Sequence, residues 1–287
     1  MARRRAVTLA LAVLLLLGSC TAGDAAHDQA ARSRHPVSAA GDHPSTSPSM
    51  RSKPAALASP SPSPSPSPPP PPPPLPPLLG HGDLRGPYGS MYHTGSSAVA
   101  LTFDDGPGPD TGRVLDTLKQ YGVHATFCVI GSQVSAQASM IKRIVREGHT
   151  LCNHTWSHDE KLSTRTPAQI VAELQRTDDA IHAIVPGARI QYFRNPGGEF
   201  SPQTVSIAAG MGMRSLYWSV DPADWSRPGT QAIISNVIDH TRPGSIVLMH
   251  DGGGDRSQTL AALRTLLPYL KHKYGLIPLP TSANASR

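Results

Sequence analysis

Ala98-Val99-Ala100-Leu101-Thr102-Phe103-Asp104-Asp105-Gly106 is the stretch from which the rest of the chain can be read. Its small and apolar residues, uninterrupted by turn formers, fit a buried strand. The run ends on two adjacent carboxylates, and a Gly-Pro-Gly-Pro turn follows at 106–109. Side chains alternate between the faces of a strand, so the two acids start out pointing apart. A bend at the strand end brings both into one pocket. Two like charges side by side are costly unless each has its own counter-group. A metal ion for one acid and an arginine for the other would meet that need.

Working outward, strand-like and helix-like patterns alternate. Residues 111–121 place Val114, Leu115 and Leu118 on one side of a helix that closes at Gly122. Residues 125–130 read as a buried strand. Residues 135–147 read as a helix with Met140, Ile141, Ile144 and Val145 as its apolar stripe, and 149–153 as a strand. Thr166-Pro167-Ala168-Gln169 is a helix start, with an N-cap, a proline at the first position and glutamine at the third. That helix runs to about Ile184. Further strands are expected at 191–194, 214–220 and 245–249, with a last one at 276–279. Helices are expected at 201–209, 231–240 and 259–272. Repeated β–α units imply a parallel sheet with helices outside. About seven such units fit an α/β barrel, complete or incomplete, whose chemistry sits where the strands end.

The N-terminal third is of another kind. Arg3, Arg4 and Arg5 precede an apolar run at 6–17, too short to span a bilayer comfortably, and the pattern is that of an export signal. Leu17-Gly18-Ser19-Cys20 resembles a bacterial lipobox, so residues 1–20 are expected to be removed or lipidated at Cys20. The alternatives are a plain secretory signal and a twin-arginine signal. Residues 21–95 show no periodicity and hold a Ser-Pro alternation followed by unbroken proline at 68–74. Such a run is disordered or polyproline II, about 3.1 Å per residue, so about 20 residues make a stiff spacer of roughly 60 Å. A Pro-rich ligand for an aromatic-lined domain is the competing reading. The folded domain is expected at 96–280, with a short tail at 281–287. The protein would be exported and held on the outer face of the membrane, facing the cell wall, as a monomer. The net charge of +6 is modest, and basic residues are not interleaved with aromatics in the folded part, which argues against nucleic-acid binding.

Five stretches carry chemistry. The first is Asp104-Asp105. The second, His154-Thr155-Trp156-Ser157-His158, follows the third strand. Two histidines four apart suit a divalent metal, and Asp105 would complete a set of three ligands, a composition that fits zinc. The third is Arg194-Asn195-Pro196-Gly197-Gly198. Its guanidinium matches a carboxylate and could orient Asp104, and its irregular backbone can aim an N–H into a pocket. The fourth, Asp221-Pro222-Ala223-Asp224-Trp225, sets acids beside an indole on which a sugar face could stack. The fifth, Leu248-Met249-His250-Asp251, offers His250 as a general acid if Asp224 holds it charged. Taken singly, each stretch has a bland counterpart in an ordinary loop, turn or structural histidine.

In this order and spacing the five stretches resemble the motifs of the polysaccharide deacetylase (NodB homology) family, carbohydrate esterase family 4, over about residues 98–278. The resemblance implies a distorted (β/α) barrel and a metal-dependent hydrolase that removes acetyl groups, mostly N-acetyl groups, from sugars. It implies Asp104 as general base, with Arg194 orienting it. Asp105, His154 and His158 would bind one divalent ion, Zn²⁺ first, with Co²⁺ or another ion as alternatives. The Gly197 N–H would sit in the oxyanion hole. Asp224 would tune His250, the general acid; Trp225 would line the groove, and Leu248 would shape the acetyl pocket. One departure stands out. The family often carries a large aromatic residue where Gly197 stands, so a groove wall is expected to be missing. The substrate implied is an acetylated polysaccharide, peptidoglycan first and chitin-like oligomers second. An O-acetyl (xylan-type) esterase and a non-catalytic glycan-binding module are the competing functions. Cys128 and Cys152 fall on neighbouring predicted strands, either as a disulfide or as two buried thiols.

Overall fold

The structure, a computed structural model, describes residues 86–281. The expected signal at 1–20, most of the expected linker and the residues after 281 lie outside the described residues. Six strands form one sheet: β1 (Ala100–Gly106), β2 (Thr126–Val129), β3 (Thr150–Asn153), β4 (Tyr192–Phe193), β5 (Arg214–Ser215) and β6 (Ile246–His250). Every pairing is parallel, in the order β5-β4-β3-β2-β1-β6. Between them run α1 (Thr111–Gln120), α2 (Gly131–Val134), α3 (Ala138–Arg146), α4 (Pro167–Ile184), α5 (Pro202–Gly210) and α6 (Thr230–His240), and α7 (Ser257–Tyr274) closes the series. This is the parallel, helix-covered half-barrel that the β–α alternation predicts.

The strand period sorts the core into two layers. On β1, Leu101 and Phe103 pack outward with Val114, Leu115 and Leu118 of α1 in the larger cluster. Ala100 packs instead with Cys128, Cys152, Tyr192, Leu216 and Ile246, which draws on nearly every strand and fills the inside of the barrel. Alternation therefore puts Ala100, Thr102 and Asp104 on the inner face. Cys128 and Cys152 are register partners on β2 and β3, with Cα atoms 4.2 Å apart, and they are joined as a disulfide.

Two boundaries differ from the sequence expectation. The linker was expected to reach residue 95, yet the fold begins earlier. Met91 bridges Leu216, His93 bridges Ser245, and Ser90, Met91 and Thr94 are buried. These residues fill the gap that β5 leaves. After Ser215 the chain leaves β4 and crosses to β6, where Ser219 N donates to Ile246 O (2.9 Å) and Leu248 N donates to Val220 O (2.9 Å). The predicted last strand at 276–279 makes one bridge, Leu276 to Val99, and then runs across the barrel floor. There Leu279 O accepts from the Thr150 hydroxyl (2.6 Å) and Pro280 O from the Tyr192 hydroxyl (2.7 Å). The side chains it meets are hydroxyl donors at the start of the strands, so it closes the base of the barrel and adds no strand.

At α4 the predicted start is present as drawn. Thr166 caps Gln169 N, and the Gln169 side chain returns to Thr166 N at 3.0 Å. A capping residue of this kind typically stabilises by about 1 kcal/mol.

Candidate active site

The two acids of β1 do not alternate as a regular strand would have them. Asp104 pairs with Cys128 and Gly106 with Val129, so Asp105 is an extra residue in the ladder. Its φ of 70° is left-handed, a conformation that aspartate tolerates better than most side chains. The bulge turns Asp105 into the cleft that Asp104 already faces.

Arg194, just beyond β4, is wholly buried. Its Nη1 donates to Asp104 Oδ1 (2.7 Å) and to Thr102 Oγ1 (2.9 Å), and its Nη2 donates to Tyr217 O (3.1 Å). A buried guanidinium demands a paired carboxylate, and Asp104 is that partner. Arg194 occupies Oδ1 and leaves Oδ2 to the cleft.

The Arg194 backbone carbonyl also accepts from His154 Nδ1 at 2.8 Å. A carbonyl cannot donate, so Nδ1 carries the proton and Nε2 presents a lone pair. That Nε2 lies 3.4 Å from Asp105 Oδ1, and His158 Nε2 lies 3.0 Å from the same oxygen. One donor atom from each of the three residues falls within 4.8 Å of the others, and Asp105 Oδ1 takes no hydrogen bond in a buried setting. Imidazole nitrogens and a carboxylate oxygen gathered this way fit a divalent cation such as zinc. Burial pushes the Asp105 carboxyl up, but the adjacent His154 and His158 imidazoles outweigh it and hold the group well below the usual range. Contact with Asp105 raises His158 in turn, against burial.

On the other side of the cleft stands His250, at the end of β6. Its Nδ1 lies 2.7 Å from Asp224 Oδ1, and its backbone N–H donates to Asp224 Oδ2 (3.0 Å). The Thr259 hydroxyl donates to Oδ2 as well (2.6 Å), so Asp224 is held by three groups and is buried. Burial acts to lower the His250 pKa; contact with Asp224 overrides it and the net direction is up. Asp221, half-buried beside it, is raised by burial.

The cleft holds about 500 Å³. Leu248 forms part of its wall, and Trp225 stands at its edge, 56% exposed. Gly197 lies in the Pro196–Gly198 turn with φ 63°. At Gly198 a side chain would collide with the indole of Trp218, which itself lines the cleft. Trp218 is stacked on Tyr217 with ring centroids 4.2 Å apart, whereas a side chain at Gly197 would meet only Glu160 and Glu199. All ten residues singled out from the sequence gather here. Arg194 and Asp224 lie behind the surface, and the other eight line it.

Sequence reasoning missed the frame. Asp251 is fully buried, its carboxyl pushed up by burial to about 7. It accepts from the Thr111 hydroxyl, which in turn receives Gly108 N–H at 2.7 Å, so it clamps the turn after Asp105. Arg256 spends its guanidinium on the carbonyls of Gly252, Gly253 and Asp224. Asp251 adjoins His250 in the fifth stretch, and that adjacency was the available signal. Arg256 and Trp218 had none.

Known proteins resemble this chain over the same region. The family described as polysaccharide deacetylase matches residues 92–216. A chitooligosaccharide deacetylase of Bradyrhizobium sp. is 42% identical over 206 residues, which is 67% of this chain and 93% of that relative. A peptidoglycan-N-acetylglucosamine deacetylase of Bacillus cereus is 38% identical over 184 residues, 60% of this chain and 81% of the relative. Among solved structures, a family 4 carbohydrate esterase from Streptomyces lividans in complex with acetate superposes with a TM-score of 0.58 at 32% identity, covering 63% of this chain and 91% of that one.

Proposed function

The chain belongs to the polysaccharide deacetylase family, hydrolases acting on carbon–nitrogen bonds other than peptide bonds, and from that premise we propose that it is a metal-dependent enzyme removing N-acetyl groups from GlcNAc-containing glycans of cell-wall or chitin type. The observation that carries this reading is the opposition of two held groups across one cleft. Asp104 is kept in place by Arg194, and His250 is held by Asp224, with the Asp105, His154 and His158 donor set beside them.

Asp104, with Oδ2 free of Arg194, takes a proton from the attacking water. His250, its Nδ1 committed to Asp224, delivers a proton from Nε2 to the departing amine. The Gly197 amide, in its turn beside the cleft, is the backbone donor toward the developing oxyanion. Asp105, His154 and His158 would hold a divalent metal, zinc first, which supplies Lewis-acid charge when bound. With Asp104 and His250 each held for proton transfer, water attacks the acetyl carbonyl directly and the amine leaves without a covalent enzyme intermediate, acetate being the second product. Leu248 packs against the acetyl methyl, and Trp225 meets a sugar face.

On sequence grounds we also propose that Cys20 is lipidated, which would place the enzyme on the outer membrane face with residues 21–85 as a tether toward the wall. A Cys20→Ser variant released into the medium, with loss of labelled palmitate, is the expected outcome; unchanged membrane retention would overturn it.

The decisive assay incubates the purified protein and Zn²⁺ or Co²⁺ with N-acetylated chito-oligomers, peptidoglycan and acetyl-xylan, and measures acetate. Release from one or both of the first two is expected. Release from none would leave only a glycan-binding role, and release from acetyl-xylan alone would make the protein an O-acetyl esterase.

A further inference from the structure

The bare backbone at Gly197 is enclosed by two glutamates. A side chain built there would begin 3.8 Å from Cγ of both Glu160 and Glu199. Glu160 also stands at a junction. With His158 it lines both the catalytic cleft and a second, polar hollow of about 700 Å³ walled by Asp159, Lys161, Arg165, Gln169 and Glu173. The two hollows have His158 and Glu160 in common, so Glu160 stands between them.

The charge in the cleft is unbalanced. Among the described residues neither Glu160 nor Glu199 is held in an ion pair, whereas Asp104 has Arg194. The cation of the cleft wall, Arg256, is already bonded to three carbonyls. A second observation points the same way. Asn195, the residue before the turn, lines the cleft, is 1% exposed, and its Oδ1 has no hydrogen-bond partner. This side of the cleft therefore offers acceptors and negative charge, and its natural complement is a ligand with donors and positive charge.

We propose that Glu160 and Glu199 form a subsite for a glucosaminyl residue, whose ammonium they receive beside the sugar being deacetylated, so that the substrate is a partly deacetylated chain. The proposal rests on the deacetylase reading, because a glucosaminyl unit is what that reaction leaves behind. One cut would then create the ligand that helps to seat the next. The same glutamates would repel glycans bearing carboxylates at that position. Both side chains are exposed, so each contact is worth roughly a 1.5- to 5-fold preference, and the pair about ten-fold. The attraction is screened over about 10 Å at 0.1 M salt.

The test uses the full-length, metal-loaded protein and two chito-oligomers of equal length, one fully acetylated and one with a single glucosamine next to an acetylated unit. The expected ratio of kcat/KM favours the second by about three- to ten-fold at low salt. The ratio should fall toward one at high salt and in the isosteric double variant E160Q/E199Q, whose fold is checked by thermal melting. A wild-type ratio of one or below, or a ratio that the double variant leaves in place, would overturn the subsite. Calorimetric titration with a fully deacetylated oligomer separates this idea from the reading beneath it. If no acetate is released from either substrate but the double variant still weakens that binding about ten-fold, the subsite stands and the deacetylase reading falls. If acetate is released and binding is unchanged by E160Q/E199Q, the reverse holds.

Discussion

Two pairs of histidines sit at opposite ends of β2 and β3. At the start of the strands, His124 and His149 lie with ring centroids 5.7 Å apart; beyond their far end, His154 and His158 lie 5.1 Å apart. His149 and His154 are both buried. What separates the pairs is the backbone atom each ring meets. His149 Nδ1 accepts from Ala125 N–H (3.1 Å), which puts its proton on Nε2. His154 Nδ1 donates to Arg194 O (2.8 Å), which strips Nε2 and turns its lone pair toward Asp105. Burial and the nearby His124 push the His149 pKa down to about 4, so that ring stays neutral and serves as packing. Residue type and burial do not mark a site histidine; a carbonyl behind the ring and a carboxylate in front of it do.

The contrast can be broken most forcefully at the acid between those elements. Replacing Asp104 with Asn keeps an acceptor for Arg194 and removes the base, and kcat should fall by about 10³-fold, within the usual range for a general base. An acetate-release rate within ten-fold of wild type would remove Asp104 from that role. Next comes metal content. H154Q should lower metal affinity by about 100-fold or more while H149Q leaves it untouched, as read by elemental analysis after dialysis. Equal retention by both variants would erase the distinction drawn between the pairs.

A third measurement sharpens the packing side. The folded pKa of His149 is about 4 against an ordinary 6.5. As pH falls below 6.5 the unfolded chain takes up the proton first, so this contribution to stability is full above that value and is lost down to about 4. Between pH 7 and 5 the loss should be about 2 kcal/mol. Urea unfolding at both pH values should show H149Q to be less acid-sensitive by that amount, and equal sensitivity would refute it. The smallest expected effect is at Asp224. D224N withdraws the charge that raises His250, so the alkaline limb of the kcat/KM profile should move to lower pH. A limb that stays in place would assign it to another group.

Elements with many periodic residues were legible before the structure. The stripe of Ile141 and Ile144 and the capping pair Thr166 and Gln169 carry their own signals at fixed spacing. The candidate site was legible for the same reason, since its chemistry falls at strand ends in short stretches. Residues 86–95 were not, because a segment that bridges once at Met91 and once at His93 repeats no pattern. The floor segment at 276–279 has the composition of a strand, but hydroxyls on Thr150 and Tyr192 claim its carbonyls. The support from Asp251, Arg256 and Thr259 was hidden because it joins residues far apart in the chain. For Asp105 the bend into the pocket was expected, but its form, an extra residue in the ladder with left-handed backbone, was not, since strand alternation alone predicts the wrong face.

That bulge has a consequence for anyone surveying substitutions at position 105. With φ at 70°, an alanine there bears a backbone penalty of roughly 1–2 kcal/mol before any chemistry is lost. A scan of all side chains would therefore mix two selections, one for a left-handed residue and one for a ligand, and would overstate the second. Asparagine and glycine separate them. The first keeps shape and conformation without the charge and the second keeps conformation alone, so the gap from aspartate to asparagine measures the charge and the gap to glycine the whole side chain.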